Sequence, residues 1–246
     1  MPSKIKVAIT GVGNVASALV QGIQYYSDDS SRAGLWHTKV GGYLVSDIEI
    51  VGAYDIDAGK VGLDLSKAIF AKPNVMPKQV SVKALGVDVE AGNLGNSKQV
   101  PAGSKTTTTR NGSIADSVKQ KKADVLLNLI SSGNDAASEE YAESGASAGC
   151  SFINATPTKL VNDAKLVSKY SGAGAIIVGD DLMSQFGGTA FHRGILNIMN
   201  GRGIRVKKSY QLDVGGGTET LNTLGEDLRA LKRRVKTDAI ALEVPY

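Results

Sequence analysis

Short apolar runs recur along the first 180 residues, separated by segments with the hydrophobic periodicity of helices. The runs are predicted strands at residues 6–10, 48–55, 124–130, 151–155 and 175–180. Helices are predicted between them at residues 15–26, 59–71, 114–121, 136–148 and 162–170. Strands that alternate with helices indicate a parallel sheet covered on both faces. The pattern therefore predicts an α/β fold of the Rossmann type, with a doubly wound parallel sheet.

Two segments interrupt this alternation. Residues 27–46 are too long for a simple connection, and residues 84–113 are rich in Gly, Ser, Thr and Asn. We expect the second segment to be a surface loop or a hairpin.

The pattern changes after residue 181, which predicts a second, smaller α+β domain. A helix near residues 184–200 is followed by an alternating strand at 205–214 and then by a basic helix. The boundary is expected near residues 182–203. We assign residues 1–190 to the dinucleotide-binding domain and residues 191–246 to part of a catalytic and oligomerisation domain.

Composition favours a soluble globular protein of the cytoplasm. The chain has 246 residues, of which 42% are hydrophobic, enough for a buried core. It has no apolar run of the roughly 20 residues that span a bilayer, and its first residues lack the pattern of a signal peptide. Membrane partners are therefore not expected. The net charge of +4 suits an anionic small substrate as well as a nucleic acid, and no nucleic-acid partner is predicted.

Cysteine and histidine are scarce. Cys150 is the one cysteine, so an internal disulfide is excluded, and we interpret it as a small buried residue. His37 and His192 are the only histidines, so the sequence has no Cys/His cluster at metal-ligand spacing and no metal site is predicted.

The motif GVGNVA at residues 11–16 directly follows a predicted strand and opens a helix. Gly11 allows the tight turn, and Gly13 lets a pyrophosphate approach the backbone at the helix N-terminus. Asn14 and Val15 belong to the same predicted cofactor site. The alternative is an ordinary turn between a strand and a helix.

Acidic residues end the second predicted strand in the sequence YDID. Asp55 and Asp57 are placed to accept hydrogen bonds from the ribose hydroxyls of NAD, and a carboxylate there disfavours NADP. Either residue could instead cap a helix beginning near Ala58. Further cofactor contacts are predicted at the ends of later strands, namely Ser131, Asn154 and Thr156.

Longer motifs resemble a known family. They are GVGNVASALVQGIQYY (11–26), GLWHTKVGGYLVSDIEIVGAYDID (34–57), KVGLDLSKAIFAKPN (60–74), FINATP (152–157), VGDDLMSQFGGTAFHR (178–193) and LDVGGGTETLN (212–222). Together they resemble the myo-inositol-1-phosphate synthases, specifically the bacterial and archaeal branch. The resemblance implies an NAD-dependent isomerisation of D-glucose 6-phosphate to 1L-myo-inositol 1-phosphate by internal oxidation, aldol cyclisation and reduction. It also implies inositol and phospholipid biosynthesis and a homotetramer.

The resemblance also implies catalytic residues. Lys232 and Lys236 match the family's K-x-x-x-K motif and would share one helix face. Two neighbouring ammonium groups disfavour each other's charge, so one lysine is expected to act as a neutral base while its partner stabilises an oxyanion. The alternative is a solvated basic face, because arginines surround the pair.

The VGDD motif supplies further candidates. Asp180 or Asp181 is expected to orient a lysine or a group near the nicotinamide, with Asp180 assigned to catalysis and Asp181 to the cofactor. Such a pair can also simply cap the next helix. The substrate phosphate is expected at Ser184, Gln185, Gly187, Gly188 and Thr189.

The sequence also departs from the family. Family members continue past the position of Tyr246 and contribute further catalytic residues there, and Gly217 and Glu219 replace the usual asparagine and aspartate. A chain that was cut short, a natural short paralogue and an incompletely determined sequence would each explain these differences. Two other functions therefore stay open: an NAD-dependent dehydrogenase of a small phosphorylated or polar substrate, and a non-catalytic NAD-binding paralogue.

Overall fold

Six parallel strands form one sheet in the computed structural model. They lie in the order β3-β2-β1-β4-β5-β6, with bounds β1 Ile5–Thr10, β2 Ile48–Asp55, β3 Val89–Ala91, β4 Val125–Asn128, β5 Ser151–Asn154 and β6 Ile177–Val178. The structure describes residues 4–28, 33–95, 105–107, 112–182, 187–212, 225–244 and 246. The chain winds outward from β1 in both directions, so β1 and β4 form the switch point where ligands bind in such sheets. The predicted Rossmann-type α/β fold is confirmed.

Helices follow the strands as the hydrophobic pattern predicts. Their bounds are α1 Asn14–Asp28, α2 Leu65–Ala68, α3 Ile114–Gln120, α4 Asp135–Ala148, α5 Ala164–Gly172, α6 Gly188–Gly201 and α7 Glu226–Ala241. None of these described helices has the length and apolar character needed to cross a bilayer.

Alternate side chains of β1 enter two separate cores. Val7 and Ile9 pack in the core that includes the α1 residues Ala16 and Val20. Ala8 points to the opposite face, into the core that includes residues of α3, α4 and α5. Burial on both faces explains why the strands read as continuous apolar runs.

Helix α2 is much shorter than the predicted helix at residues 59–71. Gly62 has a φ of 85°, in the left-handed region that interrupts a helix. Asp64 then caps α2 by accepting a hydrogen bond from the Ser66 amide at 2.9 Å. Burial raises the pKa of Asp64, but hydrogen bonds from Ser66 and from the loop at residues 85–86 lower it, and the net pKa lies below its ordinary value.

The segment at residues 84–113 contains a strand that the sequence analysis missed. Val89–Ala91 pairs in parallel with Ala53–Asp55 and extends the sheet at its edge. Residues 105–107 lie beside residues 56–58, where the Ala58 amide donates to the Lys105 carbonyl at 2.6 Å. The prediction of a loop or hairpin was wrong here, because three residues give too short a pattern to indicate a strand.

The turn after β1 requires glycine at residue 11. Gly11 has a φ of 83°, and its amide donates to the Tyr54 carbonyl of β2 at 2.8 Å. A Cβ atom at this position would lie 2.9 Å from backbone atoms of Leu129 and Ile130. The turn is therefore pressed against the chain that follows β4, and no other residue fits without a shift of the backbone.

The chain divides into two compact units, Met1–Asp181 and Leu182–Tyr246. The first contains the sheet, and the second contains α6 and α7. The sequence-based boundary at residues 190 and 191 falls inside α6, because that helix begins at Gly188. The role assigned to the second domain stays a prediction.

Within the second unit, α6 is tied to the chain that follows α7. The Arg193 side chain contacts the Glu243 carboxylate at 2.7 and 2.8 Å, and the Asn197 amide donates to the same carboxylate at 3.2 Å. Hydrogen bonds from Arg193 and Asn197 lower the pKa of Glu243. The strand predicted at residues 205–214 was wrong over its described part, residues 205–212. A strand needs a neighbouring strand for its backbone hydrogen bonds, and the described part of this unit contains no strand that could supply them.

We predict that Gly11→Ala lowers the free energy of unfolding by about 2–4 kcal/mol, through its positive φ and its contact with the backbone of residues 129–130. Urea denaturation at pH 7 measures the change. Gly22→Ala is the matched control, because a Cβ on this α1 residue meets nothing within 4 Å. Its stability should equal or exceed that of the parent. An equal effect of both substitutions would contradict the assigned constraint.

We predict that the Cys150 thiol is unreactive in the folded protein. Its side chain is 2% exposed, and burial, reinforced by the charge of Asp124, raises its pKa to about 12. At pH 8 its reaction with Ellman's reagent should be at least about 100-fold slower than in urea, because the thiolate is the reactive form. A Ser147→Cys variant places an exposed thiol on α4 as the control. Comparable native rates for both thiols would show that Cys150 is accessible.

Candidate functional site

The N-terminus of α1 lies at the carboxyl end of β1, where the predicted pyrophosphate site requires it. The first helical hydrogen bond runs from the Ser17 amide to the Gly13 carbonyl at 2.9 Å, so the amides of residues 13–16 have no partner within the helix. The first turn of this fully described helix carries no acidic residue. A Cβ atom at Gly13 would meet nothing within 4 Å. The open space at Gly13 and the amides at the positive helix end fit a pyrophosphate.

The other two residues of this turn differ in exposure. The Val15 side chain is 59% exposed, so it reaches the surface beside the amides. The Asn14 side chain is engaged: its Oδ1 accepts hydrogen bonds from the amides of Val75 at 2.8 Å and Met76 at 3.0 Å. Asn14 therefore fixes a neighbouring loop against α1, and its contribution to a cofactor site would come through its backbone.

Asp55 braces the glycine turn. Its Oδ2 accepts a hydrogen bond from the Val12 amide at 2.6 Å, and its Oδ1 accepts one from the Asp57 amide at 2.8 Å. Asp57 Oδ1 in turn accepts a hydrogen bond from the Gly59 amide at 2.8 Å. Both carboxylates are buried beside the turn. Neither residue caps a helix near Ala58, because the next helix begins at Leu65 and its N-cap is Asp64.

Two residues that the sequence analysis missed complete this arrangement. The Lys60 ammonium donates to the Val12 carbonyl at 2.9 Å and to Asn74 Oδ1 at 3.0 Å, and it lies 3.9 Å from Asp55 Oδ2. Asn74 Nδ2 donates to the same Val12 carbonyl at 3.0 Å. Lys60 is the first residue of the motif KVGLDLSKAIFAKPN, and Asn74 is its last. The predicted helix at residues 59–71 would have placed Lys60 on a helix face, so nothing in the sequence indicated its contact with the turn.

A buried polar network joins the ends of β1, β4 and β5. Asn128 Oδ1 accepts from the Thr10 hydroxyl at 2.8 Å, and its Nδ2 donates to Asn154 Oδ1 at 3.0 Å. Asn154 is fully buried, and Thr156 is nearly so. The Thr156 hydroxyl also donates to Asn154 Oδ1, at 2.8 Å. Because they are buried, Asn154 and Thr156 would hold the backbone around a cofactor site in place, and their side chains would not contact the cofactor.

Asp180 belongs to the same network. Its Oδ1 accepts from Asn154 Nδ2 at 2.8 Å, and its Oδ2 accepts from the Leu160 amide at 2.9 Å. The side chain does not cap the following helix, which begins at Gly188. Asp180 holds the loop after β5 to the end of β6.

Asp181 and Ser131, two further predicted residues at this edge of the sheet, are also exposed. Asp181 has a φ of 73°, and its amide donates to the Thr156 carbonyl at 2.9 Å. The Ser131 carbonyl accepts from Asn134 Nδ2 at 3.0 Å. These two side chains are accessible to a ligand at the carboxyl ends of the strands.

The second unit holds the remaining predicted residues. Gly187 is the N-cap of α6, Gly188 and Thr189 lie in its first turn, and this described turn has no acidic residue. Ser184 and Gln185, like the changed positions 217 and 219, lie outside the described residues. Lys232 and Lys236 are four residues apart on α7, and both are half-buried. Across the described part of the chain, no group of three or more His, Cys, Asp or Glu residues is placed to hold a metal ion.

Comparison with known proteins identifies the family. The family model described as myo-inositol-1-phosphate synthase matches residues 187–246. The inositol-3-phosphate synthase of Corynebacterium glutamicum is 38% identical and is aligned over 99% of this chain and 68% of its own length. That of Mycolicibacterium smegmatis is also 38% identical, over 96% of this chain and 67% of its own. The chain thus spans about two thirds of the length of these relatives.

Solved structures have the same fold. Ari2 has a TM-score of 0.80 at 32% identity, over 97% of this chain and 68% of its own. A myo-inositol-1-phosphate synthase-related protein of Thermotoga maritima has a TM-score of 0.78 at 22% identity, over 99% of this chain and 71% of its own, and supports the fold alone. The resemblance inferred from the motifs is confirmed, and the chain belongs to the myo-inositol-1-phosphate synthase family of enzymes.

Proposed function

We propose that this protein converts D-glucose 6-phosphate to 1L-myo-inositol 1-phosphate with NAD as a regenerated cofactor. The observation that most supports the proposal is the glycine turn at the carboxyl end of β1, with open space at Gly13 and acidic residues at the end of β2. Relatives named inositol-3-phosphate synthase support the same reaction. Inositol and phospholipid biosynthesis, a cytoplasmic location and a homotetramer complete the proposal.

The cofactor part of the proposal uses the first unit. The amides of Gly13, Asn14 and Val15 would bind the pyrophosphate at the N-terminus of α1. Asp55 and Asp57 would accept hydrogen bonds from the adenosine ribose, since each carboxylate oxygen can accept more than one. Bound NAD would supply reversible hydride transfer at C5 of the sugar with no net oxidation, so the overall reaction would be an isomerisation.

The catalytic part uses the second unit. The family motif assigns proton transfer to Lys232 and Lys236, whose spacing places them on one face of α7. One lysine would remove protons as the base, and its partner would stabilise the oxyanion that forms during ring closure. The substrate phosphate would bind the amides of Gly187, Gly188 and Thr189 at the N-terminus of α6, together with Ser184 and Gln185.

Asp180 and the remaining strand-end residues have supporting roles in the proposal. The hydrogen bonds of Asp180 to Asn154 and to the Leu160 amide hold its carboxylate in the first unit. It would act by fixing the position of Asp181 and of the loop that contains Thr156. Ser131 and Asp181, which are exposed, would contact the cofactor directly.

We predict that the protein binds NAD and that Gly13→Ala weakens this binding by about tenfold or more. The added methyl group would occupy the space through which the pyrophosphate reaches the backbone. Isothermal titration calorimetry measures the dissociation constant. Gly22→Ala makes the same substitution on the same helix, again with nothing within 4 Å of the new Cβ, and should leave the constant unchanged. Unaltered binding by Gly13→Ala would remove the turn from the cofactor site.

Incubation with NAD and glucose 6-phosphate tests the reaction. The proposal predicts inositol phosphate without accumulation of NADH, detected by phosphorus NMR and absorbance at the NADH band. Lys236→Met should lower kcat by about 100-fold or more, because it removes a proton-transfer group. Lys207→Met changes an exposed lysine of the same unit and should have no effect.

The same assay separates the alternatives. NADH formed in proportion to the substrate consumed would indicate a conventional dehydrogenase. NAD binding without turnover would indicate a non-catalytic paralogue.

A further inference from the structure

Lys60 is a buried ammonium that the proposed chemistry does not use. Its residue is 4% exposed, although lysine is almost never buried unless it is paired. Burying a charge is costly unless hydrogen bonds and an opposite charge compensate it. The partners here are the Val12 carbonyl, Asn74 and, at 3.9 Å, Asp55. All of them belong to the glycine turn or hold it in place.

The two ends of Val12 are fixed by different side chains. Its amide donates to Asp55, and its carbonyl accepts from both Lys60 and Asn74. In a trans peptide unit, the carbonyl of one residue and the amide N–H of the next point in opposite directions. Holding the Val12 carbonyl toward Lys60 therefore turns the Gly13 N–H away from Lys60. A Cβ atom built on Gly13 would meet nothing within 4 Å, so there is open space beside this residue.

The charge of Lys60 acts at the same place. Asp55 places a negative charge against the Val12 amide, which by itself would repel an anion at the turn. The Lys60 ammonium lies 3.9 Å from the Asp55 carboxylate and 2.9 Å from the Val12 carbonyl, and it offsets that charge in a buried setting, where Coulomb interactions are stronger than in water. A neutral side chain of the same length would leave the carboxylate uncompensated.

We propose that Lys60 is a positioning residue that makes the glycine turn selective for the diphosphate part of its nucleotide. The inference rests on the proposed NAD site and deepens it. Lys60 acts through the Val12–Gly13 peptide and through charge compensation, without touching the nucleotide. Its removal should therefore weaken ligands that carry a diphosphate and spare ligands that carry only the nucleoside.

The test compares ligands with and without phosphates on the full chain. Lys60→Met keeps the length of the side chain and removes its charge and its hydrogen bonds. We expect NAD and ADP-ribose to bind about 10- to 100-fold more weakly, the range for a hydrogen bond to a charged group. Adenosine affinity, measured by ligand-detected NMR, should fall by less than about twofold, a small fraction of one such bond, because the Asp55 carboxylate that would accept from the ribose is kept. Lys67→Met, on an exposed α2 residue, is the matched control and should alter none of these constants.

A second variant covers the case in which Lys60→Met does not fold. Asn74→Ala keeps the ammonium and removes one of the two donors to the Val12 carbonyl. It should weaken ADP-ribose by roughly three- to tenfold, as expected for one neutral hydrogen bond, and leave adenosine unchanged. Circular dichroism and thermal unfolding without nucleotide report whether each variant is folded.

The outcomes separate this inference from the proposed function. If the parent protein binds no NAD, the proposed cofactor site fails, and this inference fails with it. If the parent binds NAD and the folded variants bind ADP-ribose as tightly, only the role of Lys60 is overturned. Equal weakening of ADP-ribose and adenosine would also overturn it, because a general loosening of the fold has no preference for the diphosphate.

Discussion

The rest of the first unit depends on the hydrogen bond between the Val12 amide and the Asp55 carboxylate. This 2.6 Å contact joins the turn after β1 to the last residue of β2. Residues 43 positions apart in sequence thereby fix the direction in which α1 begins. Gly11 makes the contact possible, since a side chain at that position would collide with the backbone after β4. The positive end of α1 is consequently held at the switch point of the sheet.

A second constraint organises the other half of the sheet edge. Asn128, Asn154 and Asp180 stand near the ends of neighbouring strands and bond to one another in sequence, with Asn154 at the centre. Buried amides of this kind stabilise only when every donor and acceptor is satisfied. The network therefore holds the loop that contains Thr156 against Asp180, the residue before Asp181. Of the residues that the motifs suggest as ligand contacts at this edge, Asn154 and Thr156 are buried, whereas Ser131 and Asp181 are exposed.

Membership of the myo-inositol-1-phosphate synthase family rests on similarity along nearly the whole chain, and the family model itself matches the C-terminal part. The family model covers residues 187–246, whereas the glycine turn lies at residues 11–16. The described part of the second unit contributes an uncapped helix N-terminus at Gly187 and a lysine pair on α7. These are the kinds of group that bind a phosphate and move protons.

Local sequence patterns were sufficient to predict most strands of the sheet and the position of the glycine turn. Apolar runs gave five of the six strands, GVGNVA gave the turn, and YDID placed acidic residues beside it. These features were accessible because burial on both faces and a tight turn each restrict the residues at consecutive positions.

Only the tertiary structure decided the short strand Val89–Ala91, the early end of the predicted helix at residues 59–71, and the approach of Lys60 and Asn74 to Val12. Lys60 and Asn74 are 48 and 62 residues from Val12 in sequence, so no local pattern links them to it. Their positions follow from the pairing of β1 with β2 and from the loops that this pairing brings together. A buried lysine has the same letter in the sequence as an exposed one, and only the packing around it determines which it becomes.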